Sequence, residues 1–405
     1  MRSIVIAVTL AIFASACSSE TAEPGPGTTA ALTTTTTPVT TSTTTTTTTT
    51  FPPTPTTLPE APRPDPPAPS PGQAVPPGSR GAVIVARGGA DLFEEVDGEA
   101  LVRAHEGLVF PVSARAGDFL EVLTPCDDTN WVPASEVVFT PATPEQTIGA
   151  GFDFADAVVV LDPGHGGPNY GATGPSGQRE KDVNLDIARR TRDILATPHT
   201  INWVTGEVLD GSAIPPAGQV WVTRSEGPEG ADIESGLNFR TALANSLNAH
   251  ALVSIHNNAA PDGPYDGPGS EVYHQYLDDE SKRLAGLLVE EMRRGFTPFG
   301  ADWVGAFDAG AKFRVRANGD EVYGILRRSE VPAVIAEGVY ISNPSEDALL
   351  GTPEFRQAYA DAVYRALVRF VTTDDAGSGF TEPPPYTGTP SSGGPRTTCQ
   401  VPAQP

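Results

Sequence analysis

Ala157-Val158-Val159-Val160-Leu161-Asp162-Pro163-Gly164-His165-Gly166-Gly167 decides how the rest of the chain is read. Five consecutive apolar residues rich in Val predict a strand buried on both faces, as in a parallel sheet. The same alternation continues downstream. Asp182 to Leu195 carries Val183, Ile187, Ile194 and Leu195 on one helical stripe. Val220-Trp221-Val222-Thr223 is a short strand. Leu237 to Asn248 reads as a helix with Leu237, Ala244 and Leu247 inward. Ala251 to Ile255 and Ser270 to His274 read as strands, and Ser281 to Phe296 as a helix with Leu284, Leu287, Leu288 and Met292 on one face. Pro332 to Ala336 is again a buried strand. Thr352-Pro353-Glu354 starts a last helix: Thr as N-cap, Pro at the first helical position, Glu near the positive end. Strands alternating with helices over residues 156–373 predict an α/β three-layer sandwich on a largely parallel, mixed sheet. Residues 199–219 read as an added hairpin or loop.

Upstream, residues 81–141 change character. Five short strand-like runs are separated by Gly88-Gly89, Asp97-Gly98, Gly117-Asp118 and Asp127-Asp128, which predicts a small all-β barrel. Its last part, Asn130-Trp131-Val132-Pro133-Ala134-Ser135-Glu136-Val137, resembles the closing segment of bacterial SH3-like domains. Such a module either binds cell wall or serves as a packing spacer. Further upstream, Arg2, an apolar run from Ile4 to Phe13 and Ala14-Ser15-Ala16-Cys17 describe a secretory signal over residues 1–17. The small residues before Cys17 also fit a lipoprotein box, which makes Cys17 a lipidated membrane anchor. Residues 18–80 are dominated by Thr and Pro, with unbroken Thr from Thr43 to Thr50. Too little apolar surface is present to offset ordering entropy, so this stretch is expected to be a disordered tether. The Pro/Gly-rich residues 374–405 are expected to be a disordered tail. Cys126 and Cys399 remain as a pair in an oxidising compartment, bridged or as two free thiols.

Asp and Glu number 50 against 26 Lys and Arg, a net charge of −24. The acidity lies in the folded part, since residues 1–80 hold only Glu20, Glu23, Glu60 and Asp65 against Arg2, Arg63 and Arg80. That sign argues against nucleic acid as a partner. No apolar run reaches the ~18–20 residues of a spanning helix, which excludes a polytopic membrane protein.

The chemistry-bearing residues fall on one edge. His165 follows the first buried strand, His256 ends the Val253-Ser254-Ile255 strand, and Glu337 ends the Val334-Ile335-Ala336 strand. Open α/β sheets place their sites at the carboxyl ends of strands. Glu180, at the start of the following helix, belongs to the same edge. Two His and one carboxylate suit Zn²⁺ in an open catalytic site with three protein ligands. His165, Glu180 and His256 as ligands, with Glu337 as acid/base, would fill the four roles of metal-assisted amide hydrolysis. Bland readings stand beside this one: a His among glycines is often a loop residue, and a Glu at a helix start is often a cap. His105, His199, His250 and His274 read as surface or packing residues, with His274 an outside candidate. Lys312, Arg314 and Arg316 lie before the last strand and either pair with carboxylates of a peptide or form a solvated basic patch.

In that order the motifs resemble the zinc-dependent N-acetylmuramoyl-L-alanine amidases of the type-3 family. Leu161-Asp162-Pro163-Gly164-His165-Gly166-Gly167 looks like the family's first motif, and Glu180-Lys181-Asp182-Val183-Asn184-Leu185 like part of its second. Val222-Thr223-Arg224, Arg240, Ala244-Asn245 and Ser254-Ile255-His256-Asn257-Asn258-Ala259 follow in family order. Val331-Pro332-Ala333-Val334 leads to Glu337, Tyr340 and Ser342-Asn343-Pro344. The resemblance implies zinc on His165, Glu180 and His256, Glu337 as the catalytic group, and peptidoglycan as substrate. Two departures stand out: Asn257 replaces a small residue, and the Gly usual two after the catalytic Glu is displaced, leaving Gly338 and Val339. The stretch between Asn258 and Ser270 is too short for the inhibitory helix some relatives carry.

Overall fold

The computed structural model describes residues 61–65, 68, 80–224, 235–260, 269–300, 310–388 and 399–404. All fall within one unit, Thr57–Pro405. The export signal, Cys17, the Thr run and the short connection 261–268 lie outside the described residues.

Residues 81–141 form seven strands: β1 (Gly81–Val85), β2 (Ala90–Phe93), β3 (Ala100–Ala104), β4 (Val109–Ala116), β5 (Phe119–Leu123), β6 (Thr129–Pro133) and β7 (Val137–Pro141). They make one antiparallel sheet in the order β3-β2-β6-β5-β4-β1-β7. The count exceeds the five runs of the sequence because the closing segment itself supplies β6 and β7. Alternate residues Val83 and Val85, Phe110 and Val112, Leu120 and Val122 point into a common core, as period-two strands require.

The rest runs β8 (Val158–Pro163), α1 (Glu180–Leu195), β9 (His199–Ile201), β10 (Val208–Asp210), β11 (Gln219–Val222), α2 (Leu237–Leu247), β12 (Ala251–Asn258), β13 (Glu271–His274), α3 (Asp279–Phe296), β14 (Gly310–Lys312), α4 (Gly324–Arg328), β15 (Ala333–Tyr340), α5 (Pro344–Leu350) and α6 (Pro353–Thr372). Six strands pair in the order β11-β8-β12-β15-β13-β14. All neighbours are parallel except β13, which runs antiparallel to β15. β13 therefore also runs against β12, whose direction β15 shares. β9 and β10 pair as the extra hairpin.

Val159, Leu161, Val253, Val334 and Ala336 face a large core with α1, α3 and α6, while Val158, Val160, Leu252 and Ile335 face α2 and α4. A strand buried on both sides needs apolar residues at every position, which is what Val158 to Leu161 supply. Leu237 is a correction: it is 46% exposed. α2 turns Leu243, Ala244 and Leu247 to the sheet, and sends Phe239 into the core of the seven-stranded unit. That second partner is invisible to a one-face helical pattern. Thr352 does cap α6, accepting from the Phe355 N–H at 3.3 Å.

Neither flank behaves as free chain where it is described. Asp65 pairs with Arg189 at 3.0 Å and Arg192 at 2.5 Å on α1. Past α6, Phe380 bridges Ala311 of β14, and Ala403 bridges Ala104 of β3. Cys126 and Cys399 form a disulfide across 273 positions. Composition does not reveal such docking because single ion pairs and one aromatic anchor suffice for it.

Candidate metal centre

Asp162, Pro163 and Gly164 carry the chain off the end of β8 into a tight turn. Asp162 is buried and accepts from Thr223 Oγ1 at 2.5 Å, Ser254 Oγ at 2.6 Å and Arg240 Nη1 at 2.6 Å. Burial raises its carboxyl, but the Arg240 charge and the hydroxyls outweigh that and hold it below its ordinary value. Arg240 also donates to the His165 carbonyl at 2.6 Å. His165 sits at φ 65°, a left-handed conformation uncommon outside Gly, and this grip holds it there.

Three predicted residues converge. His165 Nε2 lies 3.1 Å from Glu180 Oε2, and His256 Nδ1 lies 3.0 Å from Glu180 Oε1. Their ligand atoms all fall within 4.8 Å of one another. Glu180 opens α1 but caps nothing: its carboxylate accepts from the Ala172 N–H at 2.9 Å and the Asn257 N–H at 3.2 Å. Burial pushes Glu180 up, yet the hydrogen bonds and charges of the two histidines bring it well below the carboxylate range. Burial lowers His256. Two glycines make room. A Cβ on Gly164 would lie 2.1 Å from His256 Nε2, and one on Gly171 would lie 2.4 Å from Glu180 Oε2.

Asn169, which the sequence pattern does not single out, fixes the tautomer of His165. Its Oδ1 accepts from the Gly171 N–H at 3.2 Å and lies 3.1 Å from His165 Nδ1. Since the Gly171 N–H can only donate, that atom is an acceptor, and Nδ1 carries the proton. The Nε2 lone pair then faces a carboxylate oxygen. Atoms so placed at 3.1 Å are bridged either by a proton or by a metal ion, and two imidazoles with a carboxylate are a donor set of catalytic zinc sites. The residues therefore fit the metal that the sequence implied.

Glu337 ends the apolar part of β15, in register with His256 on β12 and Glu271 on β13. Its Oε2 is buried and has no hydrogen-bond partner among the described residues. Burial, then the charges of Glu180 and Glu271, push its carboxyl well above the ordinary range. Glu271, also missed from sequence, is tied down by Lys312 Nζ at 2.8 Å, Asn258 Nδ2 at 2.8 Å and Tyr273 Oη at 2.6 Å. β15 continues unbroken through Gly338 and Val339. A side chain on Gly338 would strike the Tyr359 ring at 2.2 Å, and Val339 is core. Asn257 Nδ2 donates to Asn184 Oδ1 at 2.9 Å.

His274 stays outside: it is buried on β13 and its Nδ1 lies 2.7 Å from the Gln275 carbonyl. Lys312 is no solvated charge either, being buried against Glu271.

A family model described as N-acetylmuramoyl-L-alanine amidase matches residues 159–369, just over half of the chain. The chain belongs to that family. The germination-specific amidase of Bacillus subtilis is 30% identical over 217 residues, covering 53% of this chain and 80% of its own. Amidase AmiA of Escherichia coli K12 is 28% identical over 223 residues, 53% of this chain and 75% of its own. Among solved structures, amidase AmiC2 of Nostoc punctiforme is 27% identical, covers 55% of this chain and 98% of its own, and superposes with a TM-score of 0.38. The chain is thus an amidase of peptidoglycan, hydrolysing the bond between N-acetylmuramic acid and L-alanine.

Proposed function

We propose that this amidase works with one zinc ion held by His165, Glu180 and His256, and with Glu337 as the acid/base. The observation that carries it is the convergence of two ring nitrogens and a buried carboxylate, with an unpartnered Glu337 oxygen on the adjoining strand. Zinc held there supplies Lewis acidity at the amide carbonyl and makes water acidic enough to attack near neutral pH. Glu337, half-buried with one oxygen unpartnered among the described residues, takes the proton of the attacking water and delivers it to the departing alanine nitrogen. Arg240 and Asn169 keep the His165 ring in place while this happens.

The mature protein acts outside the cytoplasm, tethered by lipid on Cys17 and a Thr/Pro-rich linker over residues 18–80. Residues 81–141 serve as an SH3-like module beside the catalytic domain, residues 156–373. Among the described residues no helix is long and apolar enough to cross a membrane. Mass spectrometry of the protein isolated from membranes tests this: a diacylated Cys17 as first residue supports it, and a soluble form starting elsewhere refutes it.

For the chemistry, the purified chain is incubated with peptidoglycan, with and without chelator, and products are weighed. Peptides beginning with alanine should appear, vanish with chelator and return with zinc. Glu337→Gln should lower kcat by about 10²–10⁴ with zinc content unchanged. Turnover that survives Glu337→Gln would sink the assignment, and zinc binding without any release would point to a wall-binding protein instead.

A further inference from the structure

Arg314 has no place in the chemistry above, yet it stands beside it. The residue follows β14 in a short turn structure, where Val315 bridges Glu321 and the Val322 N–H donates to the Arg314 carbonyl. Its side chain reaches the carboxyl edge of the sheet. There it donates from Nη2 to Tyr273 Oη at 2.7 Å, and Tyr273 Oη in turn donates to Glu271 Oε2 at 2.6 Å. Glu271 faces Glu337 across the β13–β15 pair, so the guanidinium lies within electrostatic reach of the acid/base and favours its ionised form.

Three aromatic rings surround that guanidinium. Its carbon lies 4.8 Å from the Tyr273 ring centre, 5.5 Å from Tyr323 and 5.2 Å from Tyr386. Tyr386 comes from the C-terminal segment, which docks beside β14 through the Tyr386 N–H to the Val315 carbonyl at 2.7 Å. Stacking on ring faces orients a guanidinium while leaving its in-plane N–H groups available. Glu271 is already engaged by Lys312. Among the described residues Arg314 forms no ion pair with any carboxylate, and Tyr273 is its one side-chain hydrogen-bond partner. It is only partly buried. A half-buried, pre-oriented fork with unused donors is suited to bidentate capture of a carboxylate.

We infer that Arg314, in its cage of Tyr273, Tyr323 and Tyr386, is a specificity residue that binds a free carboxylate on the peptide side of the scissile amide. The inference rests on the amidase reading and adds to it which substrates are preferred: acidic peptide stems over the same stems with that carboxyl amidated. Lys312, buried in its pair with Glu271, takes no part in substrate recognition.

The test uses two soluble muramoyl peptides that differ only in a free carboxylate or its carboxamide. With zinc-loaded full-length protein, the carboxylate form should have the lower KM, by about tenfold, as one charge-assisted bidentate contact gives. Arg314→Gln should raise KM for the carboxylate form by about that factor and leave its KM for the carboxamide form unchanged, while any change in kcat, through the lost charge near Glu337, should be the same for both. Arg314→Lys should recover part of the preference. Tyr386→Ala, which removes one wall from a segment outside the sheet, should weaken the preference in the same direction without affecting zinc content. Equal KM values for the two substrates in the wild type, or equal shifts for both in Arg314→Gln, overturn the inference while leaving the amidase reading intact. Absence of turnover on both substrates by the wild type overturns the amidase reading, and this inference falls with it.

Discussion

Asn169 shows how the proposed metal centre would depend on a residue that is not among its ligands. It fixes which ring nitrogen of His165 keeps its lone pair, through a single amide oxygen shared with the Gly171 N–H. Partners of this kind typically account for 10–100-fold in metal affinity. Asn169→Ala should therefore weaken zinc binding by about 10–100-fold in a chelator-competition titration, with the unfolding curve of the metal-free protein nearly unchanged. Gly171→Ala should do worse, since its Cβ would meet Glu180 Oε2 at 2.4 Å and His165 Cδ2 at 2.6 Å, at φ +68°. If both variants bind zinc as the wild type does, the ion is not held where the three side chains converge. That His165, Glu180 and His256 share one edge was legible in the sequence, because His165 and His256 follow apolar strands and Glu180 opens the helix after the first of them. Asn169 was not: it lies four residues into a Gly-rich turn, and nothing in a linear pattern says which loop residue folds back on the histidine.

Strands and helices were legible in proportion to how strongly burial constrains them. β8, β12 and β15 each carry runs such as Val158 to Leu161, and α3 carries a full apolar stripe. β14 is Gly-Ala-Lys and α4 only five residues, too short for either period to register. At this scale α5 makes a pH prediction. Glu346, in its first turn, is buried, and the Tyr340 N–H at the end of β15 donates to its Oε2. Burial pushes its carboxyl up to about 8, against the pull of the Tyr340 and Gly269 N–H groups. The folded value thus lies above the unfolded one, so the protein binds more protons folded than unfolded between them. The stability that Glu346 contributes is full below about pH 4.5 and is lost as pH rises through about 8. Glu346→Gln removes that dependence. Urea unfolding at pH 5 and 8.5 should show the variant gaining about 2–4 kcal/mol relative to wild type at the higher pH, since each tenfold change in proton affinity is worth ~1.4 kcal/mol. A difference that does not change with pH would mean that Glu346 ionises freely.

Across the whole molecule, the C-terminal segment joins what the sequence presents as separate parts. Leaving α6, it lays Phe380 against Gly286 of α3 and bridges β14, sets Tyr386 over Arg314, and ends with Cys399 bonded to Cys126 and Ala403 paired with Ala104. The edge of the catalytic sheet and the seven-stranded unit are thereby fastened by one strap, in addition to α2 with Phe239. Composition favours a free tail because Gly and Pro dominate it. What holds it is sparse: one aromatic anchor, a few backbone hydrogen bonds and one covalent link, none of which needs an apolar run. A disulfide closing so long a loop acts chiefly by restricting the unfolded chain, typically by 2–4 kcal/mol. Reductant should therefore lower the Tm of the wild type by several degrees and leave Cys126→Ser, already lowered, unaffected. Cys399→Ser should match Cys126→Ser, and the double variant should be no worse than either, since each change removes the same bond. A Tm insensitive to reductant would mean that the strap is held by Phe380 and its backbone contacts alone, and that the two units owe their attachment to α2.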